Sequence, residues 1–92
     1  MAKKKKYDIV RVTWTDAEEL GESGWNNLKV QLKSARRPCP TIVTVGFLVY
    51  QDDTHVSVIS SLGPDICGTV EKIPMGFVAR IDKLTVKPSE LS

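Results

Sequence analysis

GTVEKIPMGFVARIDKL, residues Gly68 to Leu84, reads as two short strands joined by one tight corner. Ile73-Pro74 ends the first, because proline has no N–H to give a ladder and biases the residue before it towards extended geometry. Met75-Gly76-Phe77 makes the corner, and a strand resumes from Val78 to Val86. An apolar strand, an Ile-Pro stop, a glycine turn and a second strand are how small barrels close.

Towards the N-terminus, HVSVISSL (His55 to Leu62) reads as a further strand, with Gly63-Pro64-Asp65 opening the loop after it. The turn Gln51-Asp52-Asp53-Thr54 joins it to TIVTVGFLVYQ, Thr41 to Gln51. That run is apolar on both faces and β-branched, which predicts a central strand covered on two sides or packed across a barrel. Gly46 in its middle predicts a bulge, a sharp coil or a close backbone approach. Tyr7 to Thr15 alternates as a first strand, with Val10, Val12 and Trp14 on one face and Ile9, Arg11 and Thr13 on the other. Trp14 is then a core anchor.

Between these strands lies DAEELGESGWNN, Asp16 to Asn27, a loop whose carboxylates Asp16, Glu18, Glu19 and Glu22 make an acidic patch. Leu28 to Ala35 carries two periods at once. Leu28, Val30 and Leu32 alternate like a strand, whereas Trp25, Leu28, Leu32 and Ala35 recur like a helix. Strong helix formers, a cap at Ser23 or Asn26 and the Arg36-Arg37-Pro38 ending decide for a short helix. Lys33, Arg36 and Arg37 then sit at its negative C-terminal end, and Lys29, Lys33, Arg36 and Arg37 form a basic stripe.

A chain of 92 residues makes one small domain, here 7–87 between a basic tail 1–6 and a C-terminal tail 88–92. Such a chain buries only roughly two thirds of its unfolded surface, so association into a homo-oligomer would add burial. Hydrophobic content of 41% with 26% charged residues fits a globular domain rather than a disordered one. No apolar run reaches the roughly 20 residues that span a bilayer, and the N-terminus has no apolar core of a signal peptide. A cytoplasmic protein without membrane contact is expected. The net charge of +2 comes from Lys3, Lys4, Lys5 and Lys6; without them nine basic face eleven acidic residues, a body charge of −2. The two cysteines, Cys39 and Cys67, stand apart with one histidine in the chain, too few ligands for a zinc site, and are expected as reduced, packed or half-exposed thiols.

With the strands in place, Gly68 to Val78 resembles the end of an SH3-type barrel, in which a strand runs through Ile-Pro into a single 3₁₀ turn and a last strand. The central tryptophan pair of the peptide-binding SH3 domains is absent. From about Val10 to Leu84 the chain is similar to small phage-encoded β-barrel proteins. The residues carrying this are Val12, Trp14 and Asp16, then Gly24-Trp25, then Thr44 to Val49 followed by Asp52-Asp53, and finally Ile73-Pro74. The resemblance implies a mainly β fold, a small five-stranded SH3-like barrel with one short helix inserted after the first strand. It also implies a phage product, in a group that includes counter-defence proteins sequestering nucleotide immune signals.

His55 stands beside Asp52, Asp53, Ser57 and Ser60, the residue types of a hydrolytic triad, but no nucleophile turn or oxyanion loop accompanies them. It reads as a turn-edge histidine. No phosphate loop, dinucleotide fingerprint or calcium loop occurs, so the expectation is a non-enzyme without cofactor or metal. Binding has better material. Aromatic faces stack bases and arginines pair with phosphate, and Trp14, Trp25, Phe47, Tyr50 and Phe77 occur beside Arg11, Lys29, Arg36, Arg37, Lys72 and Arg80. Trp14 and Phe47 are assigned to the interior and Trp25 to the surface or an interface. Arg11 and Arg80 are expected to be positioned by their strands. The candidate ligand-binding set is Arg11, Trp25, Lys29, Arg36, Arg37, Tyr50 and Arg80, for an anionic small molecule of the nucleotide class held between subunits. One alternative is nucleic-acid binding through Lys3, Lys4, Lys5 and Lys6 with Lys33 and the rest of the helical stripe. The other is a protein-interaction module that inhibits a host protein through the acidic loop and Trp25.

Overall fold

The computed structural model describes residues 6–89. Five strands, β1 (Ile9–Thr15), β2 (Thr41–Gln51), β3 (His55–Ile59), β4 (Val70–Pro74) and β5 (Val78–Leu84), and one helix, α1 (Leu28–Ala35), make up its regular structure. A 3₁₀ turn, Met75–Phe77, joins β4 to β5. The strands form one antiparallel sheet in the order β4-β3-β2-β1-β5.

Strand alternation builds the core. Val10 and Val12 of β1 turn to the same side as Val56 and Val58 of β3 and Ile73 of β4, and these five side chains are buried. Trp14, Leu48, Met75, Val78 and Ile81 pack around them half-buried. Each such aliphatic side chain contributes about 1.5–3 kcal/mol on full burial, so this small set carries most of the cohesion. Trp14 is the anchor its face predicted, and its indole N–H donates to Thr44 Oγ1 at 3.0 Å.

Gly46 lies where a backbone comes close, as one of its sequence readings anticipated. A methyl group there would stand 2.8 Å from the Ile59 carbonyl oxygen. The irregularity in the β2–β3 ladder falls instead between Leu48 and Tyr50.

The sheet does not close into a barrel, which corrects the sequence expectation. The Met75 N–H donates to the Thr54 carbonyl at 2.9 Å, tying the corner to the β2–β3 hairpin, and β5 then pairs with β1. β4 and β5 remain the two edges of the sheet. Nor is β2 covered on two sides: Val43 is 57% and Val45 52% exposed, on the face opposite the core. Phe47 shares that outer face and is only half-buried, because it pairs with Ile9 and not with the Val10 side of β1. β3 stops at Ile59, with Leu62 held only by an isolated bridge to Cys67. β5 stops at Leu84 and β1 begins at Ile9. No described helix is long and apolar enough to cross a membrane.

Candidate functional site

Residues 16–40 form an arm between β1 and β2, and α1 packs extensively on none of the strands. Its base is closed by the Asp16 N–H donating to the Pro40 carbonyl at 3.0 Å. Above the base the arm holds itself together with polar bonds. Asn26 accepts from the Glu22 N–H at 3.0 Å through its side-chain oxygen and donates to the Glu22 carbonyl at 2.9 Å. The Gln31 amide donates to the Leu20 carbonyl at 3.0 Å. The helix starts at Asn27, whose side chain accepts from the Val30 N–H at 3.1 Å, so the cap is neither Ser23 nor Asn26. Asn26 pins the preceding loop instead.

Gly24, at φ 93°, turns the chain immediately before Trp25 in a conformation that favours glycine. The Trp25 side chain is left fully exposed. No residue of α1 is buried, and Leu28, at 71%, Val30 and Leu32 are exposed with it. Scattered apolar side chains are ordinary on a surface; here Trp25, Leu28, Val30 and Leu32 stand together on one short arm.

The same arm carries Lys29, Lys33, Arg36 and Arg37, all exposed. Among the described residues none of these four cations is in an ion pair. The Arg37 guanidinium donates to the Ser34 hydroxyl at 3.0 Å, and the Arg37 backbone N–H to the Ser34 carbonyl at 3.1 Å. The carboxylates Asp16, Glu18, Glu19 and Glu22 lie in the loop half of the arm, before Trp25.

The remaining candidates lie elsewhere. Arg11 of β1 stands opposite Asp82 of β5, and its Nη2 reaches Asp82 Oδ2 at 3.1 Å. Arg80 donates from Nε to the same oxygen at 3.0 Å. The hydrogen bond from Arg11, with the charge of Arg80, holds the Asp82 carboxyl below its ordinary range. Both arginines are therefore positioned, through an acid that the sequence reading passed over. The signal was present, because residues two apart on a strand, such as Arg80 and Asp82, share a face.

Tyr50 belongs to the β2–β3 hairpin. Its hydroxyl donates to Asp52 Oδ2 at 2.7 Å and its ring stacks on His55, centroids 5.2 Å apart. Asp52 also accepts from the Thr54 hydroxyl at 2.7 Å, the Thr54 N–H at 2.8 Å and the His55 N–H at 3.0 Å. These donors hold its carboxyl far below the usual carboxylate range, and the Tyr50 phenol is pushed up in return. His55 is a turn-edge histidine, its Nδ1 2.9 Å from the Thr54 hydroxyl.

The seven predicted binding residues thus divide among three places. Trp25, Lys29, Arg36 and Arg37 share the arm, Arg11 and Arg80 share the outer face of β1 and β5, and Tyr50 sits at the hairpin. None of the five main hollows is lined by two of them. Of the alternative set, Lys33 is on α1, Lys6 is exposed, and Lys3, Lys4 and Lys5 lie outside the described residues. Cys39 and Cys67 are free and exposed, less packed than expected. Comparison with family models, curated proteins and solved structures finds no match to this chain.

Proposed function

We propose that this chain is a non-enzymatic binding protein that captures an anionic ligand of nucleotide chemistry on the arm 16–40. The observation that carries this reading is the fully exposed Trp25 on the same arm as four cations that form no ion pair among the described residues. An indole face stacks a base whatever its identity, and guanidinium groups bind phosphate in a bidentate fork. The ligand set narrows to Trp25, Lys29, Arg36 and Arg37, joined by Lys33. Arg11 and Arg80 spend hydrogen bonds on Asp82, and Tyr50 spends its hydroxyl on Asp52, which supports structural roles for those three.

On this reading the protein acts by stoichiometric sequestration. The strand order and the 3₁₀ turn between the last two strands support descent from an SH3-type barrel opened along one seam. The likeness to phage proteins adds the expectation of a cytoplasmic counter-defence role against a nucleotide immune signal.

The test is a calorimetric titration with linear and cyclic nucleotides, repeated with Trp25→Ala and with Arg36→Ala/Arg37→Ala. Saturable binding weakened in both variants supports the reading. Binding only to oligonucleotides, falling steeply with salt and weakened by deleting residues 2–6, replaces it with the nucleic-acid alternative.

A further inference from the structure

The two edges of the sheet differ in what they offer another strand. In an antiparallel ladder, backbone groups point alternately to one neighbour and the other, in step with the side-chain alternation. The Leu48 N–H donates to the Asp8 carbonyl at 2.8 Å, so Asp8 faces β2 and, alternating along β1, Ile9, Arg11 and Thr13 face β5. Their partners Leu84, Asp82 and Arg80 therefore turn inward, and Ile81 and Lys83 present N–H and C=O at the free edge of β5. At the other edge, the Asp52 N–H donates to the His55 carbonyl, so His55 faces β2 and Val56 faces β4. Val70, Lys72 and Pro74 then point outward from β4. Each edge carries an outward lysine, Lys83 on β5 and Lys72 on β4, but Pro74 has no N–H to give on the β4 side.

We infer that β5 is a self-pairing edge, and that two copies join antiparallel through it about a two-fold axis at Ile81, making one continuous ten-stranded sheet. A rotation about the sheet normal keeps both core faces on the same side. With Ile81 opposite the partner copy's Ile81 in a hydrogen-bonded pair, Arg80 stands opposite the partner copy's Asp82 on the outer face, and the symmetry repeats this pair. Those two positions form the non-hydrogen-bonded type of pair, in which side chains approach most closely. Shifting the centre to Asp82 sets two carboxylates against each other, and centring on Lys83 sets two ammonium groups together. The register at Ile81 joins opposite charges. Within one chain Arg80 engages Asp82 only through Nε, and both arginines reach only Oδ2, which leaves Arg80's two Nη groups and Asp82 Oδ1 for the partner. An isologous contact of this kind closes on itself and ends at the dimer, with the guarded β4 edges outermost.

The inference goes beyond the arm's ligand and does not depend on it. Sedimentation velocity on the full chain at about 100 µM, a concentration suited to a small interface, reads the assembly directly. A dimer is expected for the wild type, with monomers for Arg80→Glu alone and for Asp82→Arg alone. Mixing these two chains restores complementary charge at both pairs, so a one-to-one heterodimer is expected. Lys83→Pro, at an exposed position whose N–H points outward, is expected to weaken the dimer at least tenfold while circular dichroism shows the fold intact. A wild-type monomer at that concentration, or a dimer unmoved by Arg80→Glu and by Lys83→Pro, overturns the inference.

Discussion

Gly46 and Asp52 show how single residues fix this sheet. At Gly46 the obstacle to a side chain is a backbone carbonyl, which has no rotamer to yield, and Val58 Cβ stands 3.4 Å away as well. Gly46→Ala is expected to destabilise by roughly 1–3 kcal/mol, the range for overpacking a tight site, read from the urea midpoint. Asp52 acts through hydrogen bonds, which its ionised carboxylate accepts from Tyr50, Thr54 and His55. Its folded-state affinity for a proton is depressed, so its stabilisation is complete above the unfolded value near 3.9 and is lost as pH falls below it. The wild type should melt at a higher temperature than Asp52→Asn at pH 7, and the gap should shrink as the pH is taken below about 4. The turn was legible in Gln51-Asp52-Asp53-Thr54, because short polar side chains bond their own backbone. That Tyr50 joins it was not, since a ring on an alternating strand gives no sign of reaching over its own turn.

The elements whose ends were read correctly are those bounded by strong local signals. Thr41 to Gln51 lies between Pro40 and a hairpin turn, and Leu28 to Ala35 between Asn27 and the Arg-Arg-Pro stop. The strands that end early, β3 at Ile59 and β5 at Leu84, are followed by Ser60-Ser61-Leu62 and Thr85-Val86, which extend neither ladder and leave only the isolated Leu62–Cys67 bridge. Local pattern states that a segment is willing to be a strand, and pairing decides how much of it becomes one. The helix is a further case, because Trp25, Leu28, Leu32 and Ala35 mark an apolar face without stating what covers it. Since α1 packs extensively on none of the strands, its cap carries unusual weight. Asn27→Ala is expected to cost about 1 kcal/mol of local helix stability, seen as faster amide exchange at Val30 and Gln31 with β1 and β2 unchanged.

At the scale of the molecule, the chain combines a layer with few buried side chains and an arm that spends its apolar residues on solvent. Small domains are marginal, and leaving Trp25, Leu28, Val30 and Leu32 in water forgoes stabilisation that the sheet has little of elsewhere. The proposed capture of a ligand on the arm would give those side chains a partner. Closure of the barrel was not legible, because it rests on whether β4 and β5 meet after a three-residue corner, a contact that no local pattern specifies. The division of the candidate residues among arm, outer face and hairpin was likewise set by register. The two tryptophans give the most direct test of the arm as the binding element. Trp14 is half-buried and bonded to Thr44, whereas Trp25 is open to solvent, so emission of a Trp14→Phe chain reports Trp25 alone. Titrated with cyclic and linear nucleotides, that chain should show saturable quenching that Arg36→Ala/Arg37→Ala weakens at least tenfold. Unchanged Trp25 emission across the whole panel would contradict capture of a nucleotide-like ligand on this arm.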